Sequence, residues 1–274
     1  MQKKLVAAAG AAGLVALIAT PMSPASAAED ATVSVLHAVP GMTVDVYANG
    51  DELIPDFRPG TLTDPMSLPA GKYDLQVFAD GDQPGEDEPA IEANNVAVPA
   101  GANATVVAHL AEGGDPMLSL FANDMSATKA GEARLTVRHT AAAPAVDVRA
   151  NGDVLFPELT NPNEASADVP ADTYSADVTL AGTNKVAIGP ADLNLAEGTQ
   201  TIVYAWGSAE DGNLDLAVQS IDGLHSAPSG VPGGQVGLAP ESDSLAGWTA
   251  GLGALSVLGL AFGGRQLVAA RNGR

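Results

Sequence analysis

Two histidines occupy the same place in two similar stretches of this sequence, and both could bind a metal ion. His37 and His139 each end a short stretch of alternating apolar side chains, and Asp45 or Asp147 follows eight residues later. Imidazole and carboxylate groups together can form transition-metal sites. The aspartates, however, alternate out of phase with the valines beside them, which places them on the opposite face of a strand. We therefore favour a strand-end histidine whose ring hydrogen-bonds the backbone of a neighbouring loop.

An acidic stretch at residues 80–88 suggests a second kind of cation site. Its sequence, Asp-Gly-Asp-Gln-Pro-Gly-Glu-Asp-Glu, concentrates carboxylates, which are the ligands that Ca²⁺ prefers. It departs from an EF-hand because Pro84 stands where that motif has Asp or Asn, the closing Glu is out of register, and no flanking helices are predicted. The second similar stretch has no equivalent loop. We therefore favour a solvated acidic turn over a calcium site, and we assign no metal ligand.

Residue types suited to catalysis do not form a recognisable pattern. The chain has no cysteine, which excludes thiol catalysis and Cys-based zinc or iron–sulfur sites. No Gly-x-Ser-x-Gly sequence marks a nucleophile, and none of the histidines, His37, His109, His139 and His225, has a neighbouring motif typical of a triad. The Asn-Ala-Thr tripeptide at residues 103–105 fits a glycosylation acceptor pattern, which we interpret as incidental. The sequence therefore predicts a protein that is not an enzyme, without catalytic or cofactor-binding residues.

The N-terminus has the pattern of a secretory signal peptide. Two lysines precede an apolar stretch at residues 5–19, and Ala-Ser-Ala at residues 25–27 fits the site that signal peptidase cleaves. We predict that residues 1–27 are a signal peptide and that the protein is exported. A retained N-terminal anchor is the alternative.

The C-terminus predicts attachment to the cell membrane. Residues 245–262 carry no charge, and a helix of this length reaches about 27 Å, close to the minimum for a membrane span. We predict a transmembrane helix at residues 245–264. The arginines within residues 265–274 indicate a basic cytoplasmic tail, which places the bulk of the protein outside the cell. Sortase attachment to the cell wall is the alternative, although the pentapeptide at residues 238–242 lacks the Thr-Gly that sortases cleave.

The charge of the chain limits its partners. Five of the twelve basic residues lie in the two ends, which leaves seven basic against 33 acidic side chains and a formal charge of −26 for the part between them. A surface this negative repels nucleic acid and favours cations or basic partners. The charge therefore excludes nucleic-acid binding. The absence of cysteine also means that an exported protein of this size must be stabilised by core burial rather than by disulfides.

An internal repeat occupies most of the chain between the two ends. At a shift of 102 residues, residues 37–51 align with residues 139–153 without a gap, and both blocks contain Val-Asp-Val followed by Ala-Asn-Gly-Asp in the same positions. Two later blocks keep the same order, namely Pro-Ala shortly before a tyrosine and a glycine before a long apolar stretch. Repeats of about a hundred residues are tandem domains, since solenoid repeats are much shorter. We predict two domains, at residues 28–124 and 125–222.

Both domains have the sequence pattern of short β-strands. Apolar residues alternate with a period of two around each repeated histidine and each Val-Asp-Val. The dipeptides Asn49-Gly50 and Asn151-Gly152 predict type I′ hairpin turns, because both central residues of that turn need a positive φ. Further strands are predicted at residues 62–68, 72–79, 91–98, 103–111 and 116–122, and at residues 165–169, 173–180, 185–195, 199–207 and 213–219.

These strands predict an all-β fold of two tandem immunoglobulin-like β-sandwich domains. Seven or eight short strands in about a hundred residues, with Pro, Gly, Asn and Asp in the turns, are typical of that architecture. Residues 122–132 would join the domains, and the Gly- and Pro-rich residues 223–244 would form a flexible stalk. We expect Tyr204 and Trp206, on an apolar strand, to pack in the core.

The repeated blocks resemble a known family. The sequences of residues 37–41, 44–50 and 68–73, with their matches in the second copy, are similar to the "domain of unknown function" family forty-three ninety-seven, which occurs in exported actinobacterial and other prokaryotic surface proteins. The likeness extends from about residue 31 to residue 220, and it departs where Arg149 replaces the usual Tyr and Asp172 replaces Gly. The resemblance implies a β-sandwich module in an envelope protein, and it supplies no catalytic residue and no ligand.

The sequence therefore predicts a non-enzymatic protein on the outer face of the cell membrane. Its role would be adhesion, assembly or structural support, with the membrane and an unidentified protein or glycan of the envelope as partners. The alternative is a ligand-binding module for cations or glycans. A concave patch of carboxylates or aromatic side chains, shared by both copies, would favour that alternative.

Overall fold

The computed structural model describes residues 29–225, which contain sixteen β-strands and no α-helix. The predicted all-β fold is confirmed for these residues. None of them forms a helix that is long and apolar enough to cross a membrane. The predicted signal peptide, the transmembrane helix at residues 245–264 and the basic tail lie outside the described residues, as does most of the predicted stalk.

The first eight strands form two four-stranded sheets. In chain order they are β1 (Ala31–Ala38), β2 (Val44–Ala48), β3 (Asp51–Phe57), β4 (Met66–Leu68), β5 (Gly71–Ala79), β6 (Ile91–Val98), β7 (Asn103–Leu110) and β8 (Pro116–Ala122). One sheet has the order β4-β1-β7-β8 and the other β3-β2-β5-β6. Only the β1–β7 pair in these two sheets is parallel. We call this pair of sheets the first sandwich.

The next eight strands repeat this arrangement. They are β9 (Glu132–His139), β10 (Val146–Ala150), β11 (Asp153–Leu159), β12 (Glu164–Pro170), β13 (Asp172–Leu180), β14 (Val186–Leu195), β15 (Gln200–Trp206) and β16 (Asp215–Ile221). The sheet orders are β12-β9-β15-β16 and β11-β10-β13-β14, which match those of the first sandwich strand for strand. The β9–β15 pair is parallel, as its counterpart is. We call this pair of sheets the second sandwich.

Each sandwich encloses an apolar cluster of its own. In the first, Val33 and Val35 of β1 and Val106 of β7 pack against side chains from β2, β3, β5 and β6. In the second, Leu135 and Val137 of β9 do the same between their two sheets. Side chains that alternate along a strand point to opposite faces, so the period of two in the sequence supplies an apolar face to each interior.

The repeated Asn-Gly dipeptides form the predicted hairpin turns. Asn49 and Gly50 have φ values of 55° and 86°, and Asn151 and Gly152 have values of 53° and 88°. Two successive positive φ angles are the mark of a type I′ turn, and Asn and Gly are the residues that adopt them at least cost. The prediction at both positions is confirmed.

Some strand and linker boundaries differ from the prediction. The strand predicted at residues 62–68 begins only at Met66, because Leu62 makes just an isolated bridge to Leu36. The last strand lies at residues 215–221 rather than 213–219. The first described residues of the predicted stalk are packed: Leu224 is fully buried, and its backbone hydrogen-bonds Thr128 and a glycine of the second sandwich. The flexible stalk predicted from residue 223 could therefore begin only after Leu224.

Candidate functional site

The two repeated histidines are buried at the ends of β1 and β9. The Nε2 atom of His37 lies 2.8 Å from the Met42 carbonyl oxygen, and that of His139 lies 3.1 Å from the Pro144 carbonyl oxygen. The backbone N–H two residues further on approaches each Nδ1 atom at 3.4 Å. A neutral ring that donates from Nε2 and accepts at Nδ1 satisfies both contacts. The interpretation of a strand-end histidine bonded to a neighbouring loop is confirmed.

The two repeated aspartates hold backbone N–H groups of other loops. Asp45 accepts hydrogen bonds from Asp56 at 2.8 Å and from Gly81 at 3.0 Å. Asp147 accepts the same two bonds, from Glu158 and from the matching glycine, both at 2.8 Å. Asp56 and Glu158 have positive φ angles where β3 and β11 bulge, so each carboxylate stabilises a strained bulge. The two backbone hydrogen bonds lower the pKa of Asp147.

The acidic loop at residues 80–88 does not form an assembled cation site. The Asp87 carboxylate accepts a hydrogen bond from the Gln83 backbone N–H at 3.1 Å, which closes a local turn. The carboxylates of Asp80, Glu86 and Glu88 are exposed. Across residues 29–225, no three His, Asp or Glu side chains lie close enough together to hold a metal ion.

One histidine does contact a serine, as a hydrolase would need. The Nε2 atom of His109 lies 2.9 Å from the Ser119 Oγ atom. Its Nδ1 atom lies 2.9 Å from the Leu110 carbonyl oxygen, where a triad has a carboxylate. His109 is fully buried, which leaves its ring out of reach of a dissolved substrate. This pair therefore supports the packing of β7 on β8.

A third apolar cluster lies between the two sandwiches. Leu36, Val107 and Phe121 of the first sandwich pack against Tyr204 and Trp206 of the second, together with the remaining members of the cluster, which are Ala38, Ile202 and Ala217. The central strands of the two inner sheets, β1 and β7 in one and β9 and β15 in the other, are therefore buried on both faces. Every residue of β15 is buried for this reason. Residues 29–225 accordingly belong to one compact unit. We call this contact the inter-sandwich interface.

A closed ring of five hydrogen-bonded side chains lies within the inter-sandwich interface. Arg138 donates from Nη1 to the Tyr204 hydroxyl at 2.7 Å and from Nη2 to Asn123 Oδ1 at 2.9 Å. The Tyr204 hydroxyl donates to Gln219 Oε1 at 2.6 Å, and the Thr105 hydroxyl donates to the same oxygen at 3.0 Å. Asn123 Nδ2 closes the ring by donating to Thr105 Oγ1 at 3.2 Å.

The guanidinium of Arg138 is the only charged group in this ring. Its side chain is 0% exposed, whereas that of its ion-pair partner, Glu164, is 39% exposed. The Nε atom of Arg138 lies 2.7 Å from Glu164 Oε2, and its guanidinium carbon lies 4.6 Å from the centre of the Phe121 ring. A buried cation is tolerated only when it is paired and hydrogen-bonded. Glu164 of the second sandwich supplies the ion pair, and Asn123, directly after β8, supplies a hydrogen-bond acceptor from the first.

The segment that joins the sandwiches is fixed to the second of them. Arg134 of β9 lies 2.9 Å from the Asp124 carboxylate and 2.8 Å from the Asp168 carboxylate, and it also donates to the Ser126 carbonyl at 3.1 Å. Hydrogen bonds from Ser126, followed by the charge of Arg134, hold the pKa of Asp124 below its ordinary value. The connection at residues 122–132 is therefore a structured part of the interface.

A cavity of about 430 Å³ opens at one end of the second sandwich, beside His139. Apolar side chains from the loop after β9, from β13 and β14, and from the loop before β16 line it, and Lys185 lies at its wall. We call it the end cavity. A second cavity, of about 400 Å³, lies between the sandwiches and is lined by polar groups that include Asp64, Asn103 and Asp222. We call it the inter-sandwich cleft.

Comparison with protein families finds a match to part of this chain. Residues 31–149 match the model of the family described as Domain of unknown function (DUF4397). Over these residues the chain is similar to DUF4397. The family suggested by the repeated blocks is thereby confirmed over these residues, and the likeness predicted further along, to residue 220, lies beyond the match. A search of curated proteins found no match.

The DUF4397 match covers the first sandwich and only the first two strands of the second. Three members of the polar ring lie within it, namely Thr105, Asn123 and Arg138, and two lie beyond it, namely Tyr204 and Gln219. The ring therefore depends on residues from both sides of the boundary of the match. The family match alone gives no indication of the inter-sandwich interface.

The inter-sandwich interface is the main feature that sequence reasoning missed. Tyr204 and Trp206 are buried, as predicted, but between the sandwiches rather than inside the second one. A signal was present in the repeat. Residues that face the two interiors are similar in the two copies, whereas those on the opposite face differ: Leu36 corresponds to Arg138, and Phe121 corresponds to Gln219.

Three buried histidines predict a stability that falls in mild acid. Burial lowers the pKa of His37, His109 and His139, and the neighbouring His139 lowers that of His109 further. The unfolded rings take up protons near pH 6.5, whereas the folded rings do so only at lower pH. The contribution of these histidines to the free energy of unfolding is therefore complete above about pH 6.5 and is lost as the pH falls below it. We expect the free energy of unfolding, measured in urea, to fall below about pH 6.5. The fall should be at most about 1.4 kcal/mol for each pH unit and for each of the three histidines.

The matched variant for this pH effect is His37→Gln, because glutamine can donate to the Met42 carbonyl without titrating. It should reduce the loss of stability between pH 7.5 and pH 5.5 by about a third, as expected for one of three similar groups. An unchanged pH profile would show that the buried rings do not govern the acid response.

Proposed function

We propose that this chain is a non-enzymatic protein of the cell surface whose two sandwiches act as one stiff structural unit in adhesion, assembly or support of the envelope. The inter-sandwich interface is the observation that carries the proposal. Its apolar cluster and its polar ring around Arg138 join side chains of both sandwiches, which supports a fixed orientation of one relative to the other. A unit of fixed orientation holds a constant spacing between its two ends, which a pair of freely jointed domains cannot do.

The cell-surface location is supported by the sequence at both ends. Residues 1–27 have the pattern of a signal peptide, and residues 245–264 followed by a basic tail have the pattern of a single-pass anchor. On this proposal the domains at residues 28–124 and 125–222 lie outside the cell, and residues beyond His225 supply the stalk. Attachment to the wall by a sortase is the alternative form of anchoring.

The proposed relation to immunoglobulin-like domains is supported by a repeated tyrosine contact. The Tyr73 hydroxyl donates to the Pro69 carbonyl at 2.7 Å, and the Tyr174 hydroxyl donates to the Pro170 carbonyl at 2.9 Å. A tyrosine whose hydroxyl returns to the backbone a few residues upstream is a known corner device of such sandwiches. Domains of this class serve in many surface proteins, although a fold alone does not define a role.

The absence of cysteine allows a direct test of the proposed location. A single cysteine is placed in the full chain either at Thr183→Cys, in an exposed loop of the second sandwich, or at Asn272→Cys, in the basic tail. A membrane-impermeant maleimide should label the first variant on intact cells and the second only after lysis. Labelling of Thr183→Cys only after lysis would contradict the proposal.

The inter-sandwich cleft favours a second candidate function, the binding of a glycan. Hydroxyl, amide and carboxylate groups from Thr63, Asp64, Asn103, Ser220 and Asp222 surround its volume of about 400 Å³. Such groups match the hydroxyls of a sugar in size and polarity. Glycan-array binding that is lost in Asp222→Ala and retained in Asp211→Ala, an exposed acidic residue outside the cleft, would favour this candidate.

A further inference from the structure

The end cavity of the second sandwich has the size and lining of a small-molecule site. Its volume of about 430 Å³ lies within the range of about 300 to 1,000 Å³ that is usual for ligand pockets. The walls are mostly apolar, with Ala141, Val178, Ile188 and Leu214 among them. Such a lining is expected to hold the apolar body of a ligand, while a few polar groups determine its orientation.

The first sandwich provides a comparison within the same molecule. The matching cavity beside His37 has a volume of only about 90 Å³. Val39 and Met42 line it, and the repeat places Ala141 and Pro144 at the same positions in the second sandwich, where they line the end cavity. The smaller side chains leave the second site open. The two copies therefore share a fold, and only the second has kept or gained room for a ligand.

The loops at the mouths of the two cavities differ in length and in charge. The loop between β5 and β6 spans residues 80–90 and carries five carboxylates, whereas the loop between β13 and β14 spans residues 181–185 and carries none. Ala90 and Ala187 line the two cavities at matching positions, and two residues before them Glu88 corresponds to Lys185. The mouth of the end cavity therefore has a positive charge where the first copy has a negative one.

We propose that the end cavity binds a small molecule with an aliphatic body and a carboxylate, and that Lys185 binds the carboxylate at the mouth. Lys185 and His139 are the ionisable groups that line the cavity, and the His139 ring is occupied by its hydrogen bonds to the loop after β9. The ammonium of Lys185 is exposed, while its backbone is held in the hairpin by a hydrogen bond from Leu180 at 3.0 Å.

The charge around the cavity favours one position for the anionic group. Glu210 and Asp211 lie in the loop before β16, on another side of the mouth, and they do not line the cavity. A carboxylate is repelled there and attracted at Lys185. This inference goes beyond the structural role proposed above, since a stiff surface unit needs no ligand.

Photo-crosslinking on the full chain in whole cells tests the proposal without detergent. The probe is an octanoate analogue with a photoreactive diazirine, and the cross-linked residues are located by mass spectrometry. We expect labels in the end cavity, at residues such as Ala187 and Leu214, and competition by octanoate. Octanol and octylamine, which have the same chain length, should compete at least about threefold more weakly, because each lacks the negative charge.

Four variants distinguish the outcomes. Lys185→Gln should weaken labelling about threefold, and Ala187→Phe, which fills the cavity, should abolish it. The matched controls are Lys72→Gln, an exposed lysine of the first sandwich, and Ala90→Phe at the equivalent position of the smaller cavity, and both should leave labelling unchanged. Equal competition by octanol, or labelling that persists in Ala187→Phe, would overturn the proposal, whatever the outcome of the labelling test of cell-surface location.

Discussion

Replacing Arg138 by alanine is expected to lower the free energy of unfolding by about 3 kcal/mol, because the loss of a buried charged partner typically costs 3 to 5 kcal/mol. The lower end applies here, since the Glu164 carboxylate is partly exposed and can be rehydrated. Tyr204 and Asn123 also lose a hydrogen-bond partner inside the interface. Urea unfolding of the wild-type protein and the variant, followed by circular dichroism, measures the difference.

Arg149 provides the matched control for this prediction. It also forms a two-point ion pair, with Asp177 at 2.6 and 2.7 Å, but on the outer sheet of the second sandwich, where both side chains keep some exposure. Arg149→Ala should cost less than Arg138→Ala, because Arg149 bonds only Asp177, whereas Arg138 also holds Tyr204 and Asn123. Equal and small losses for both variants would show that the ring in the inter-sandwich interface contributes little.

Replacing Trp206 by alanine is expected to cost about 3 to 5 kcal/mol, the usual range for a large buried aromatic side chain. Trp206 is 8% exposed and belongs to the cluster between the sandwiches. Its ring packs on the backbone of Gly60, where an added Cβ atom would lie 3.0 Å from the nearest ring carbon. The substitution therefore removes contacts across the inter-sandwich interface. Its effect is measured by the same urea unfolding.

The milder variant Trp206→Phe separates loss of volume from misfolding. It keeps an aromatic ring in the cluster but lacks the outer ring carbons that lie against Gly60, so its free energy of unfolding should lie between those of the wild-type protein and Trp206→Ala. If Trp206→Ala lowers stability by less than about 1 kcal/mol, the cluster between the sandwiches is a loose contact and not a core.

Local features of the fold could be predicted from the sequence because they depend on neighbouring residues. Asn49-Gly50 and Asn151-Gly152 indicate their hairpins through backbone preference alone. The period of two predicts strands with one buried face, and it placed β6 at residues 91–98, as the structure has it. The length of β4 was overestimated because the residues before it have the composition of a strand but form only one isolated bridge, between Leu62 and Leu36.

The inter-sandwich interface was not predicted because it depends on the docking of residues that are distant in the sequence. Arg134 and Arg138 occupy the alternate positions of β9 that a single sandwich would expose to water, so the pattern favours a solvated face. Their burial follows only from the presence of the first sandwich opposite them. The unbroken apolar run of β15 was the one local indication that this sheet has no solvated face.

The candidate ligand site was missed for a different reason. Residues shared by the two copies indicate the common fold, whereas the end cavity arises where the copies differ. Val39 of the first copy corresponds to Ala141 of the second, and Glu88 corresponds to Lys185. Only the structure shows that these two positions lie beside the same cavity in each copy. Duplicated domains therefore reveal their structural residues by similarity and their candidate sites by divergence.

Differential scanning calorimetry of residues 28–225 tests most directly whether the two sandwiches form one unit. The inter-sandwich interface predicts a single transition whose calorimetric enthalpy equals its van't Hoff enthalpy, and Arg138→Ala should lower its midpoint. Two separate transitions in the wild-type protein, with neither midpoint moved by Arg138→Ala, would contradict the account.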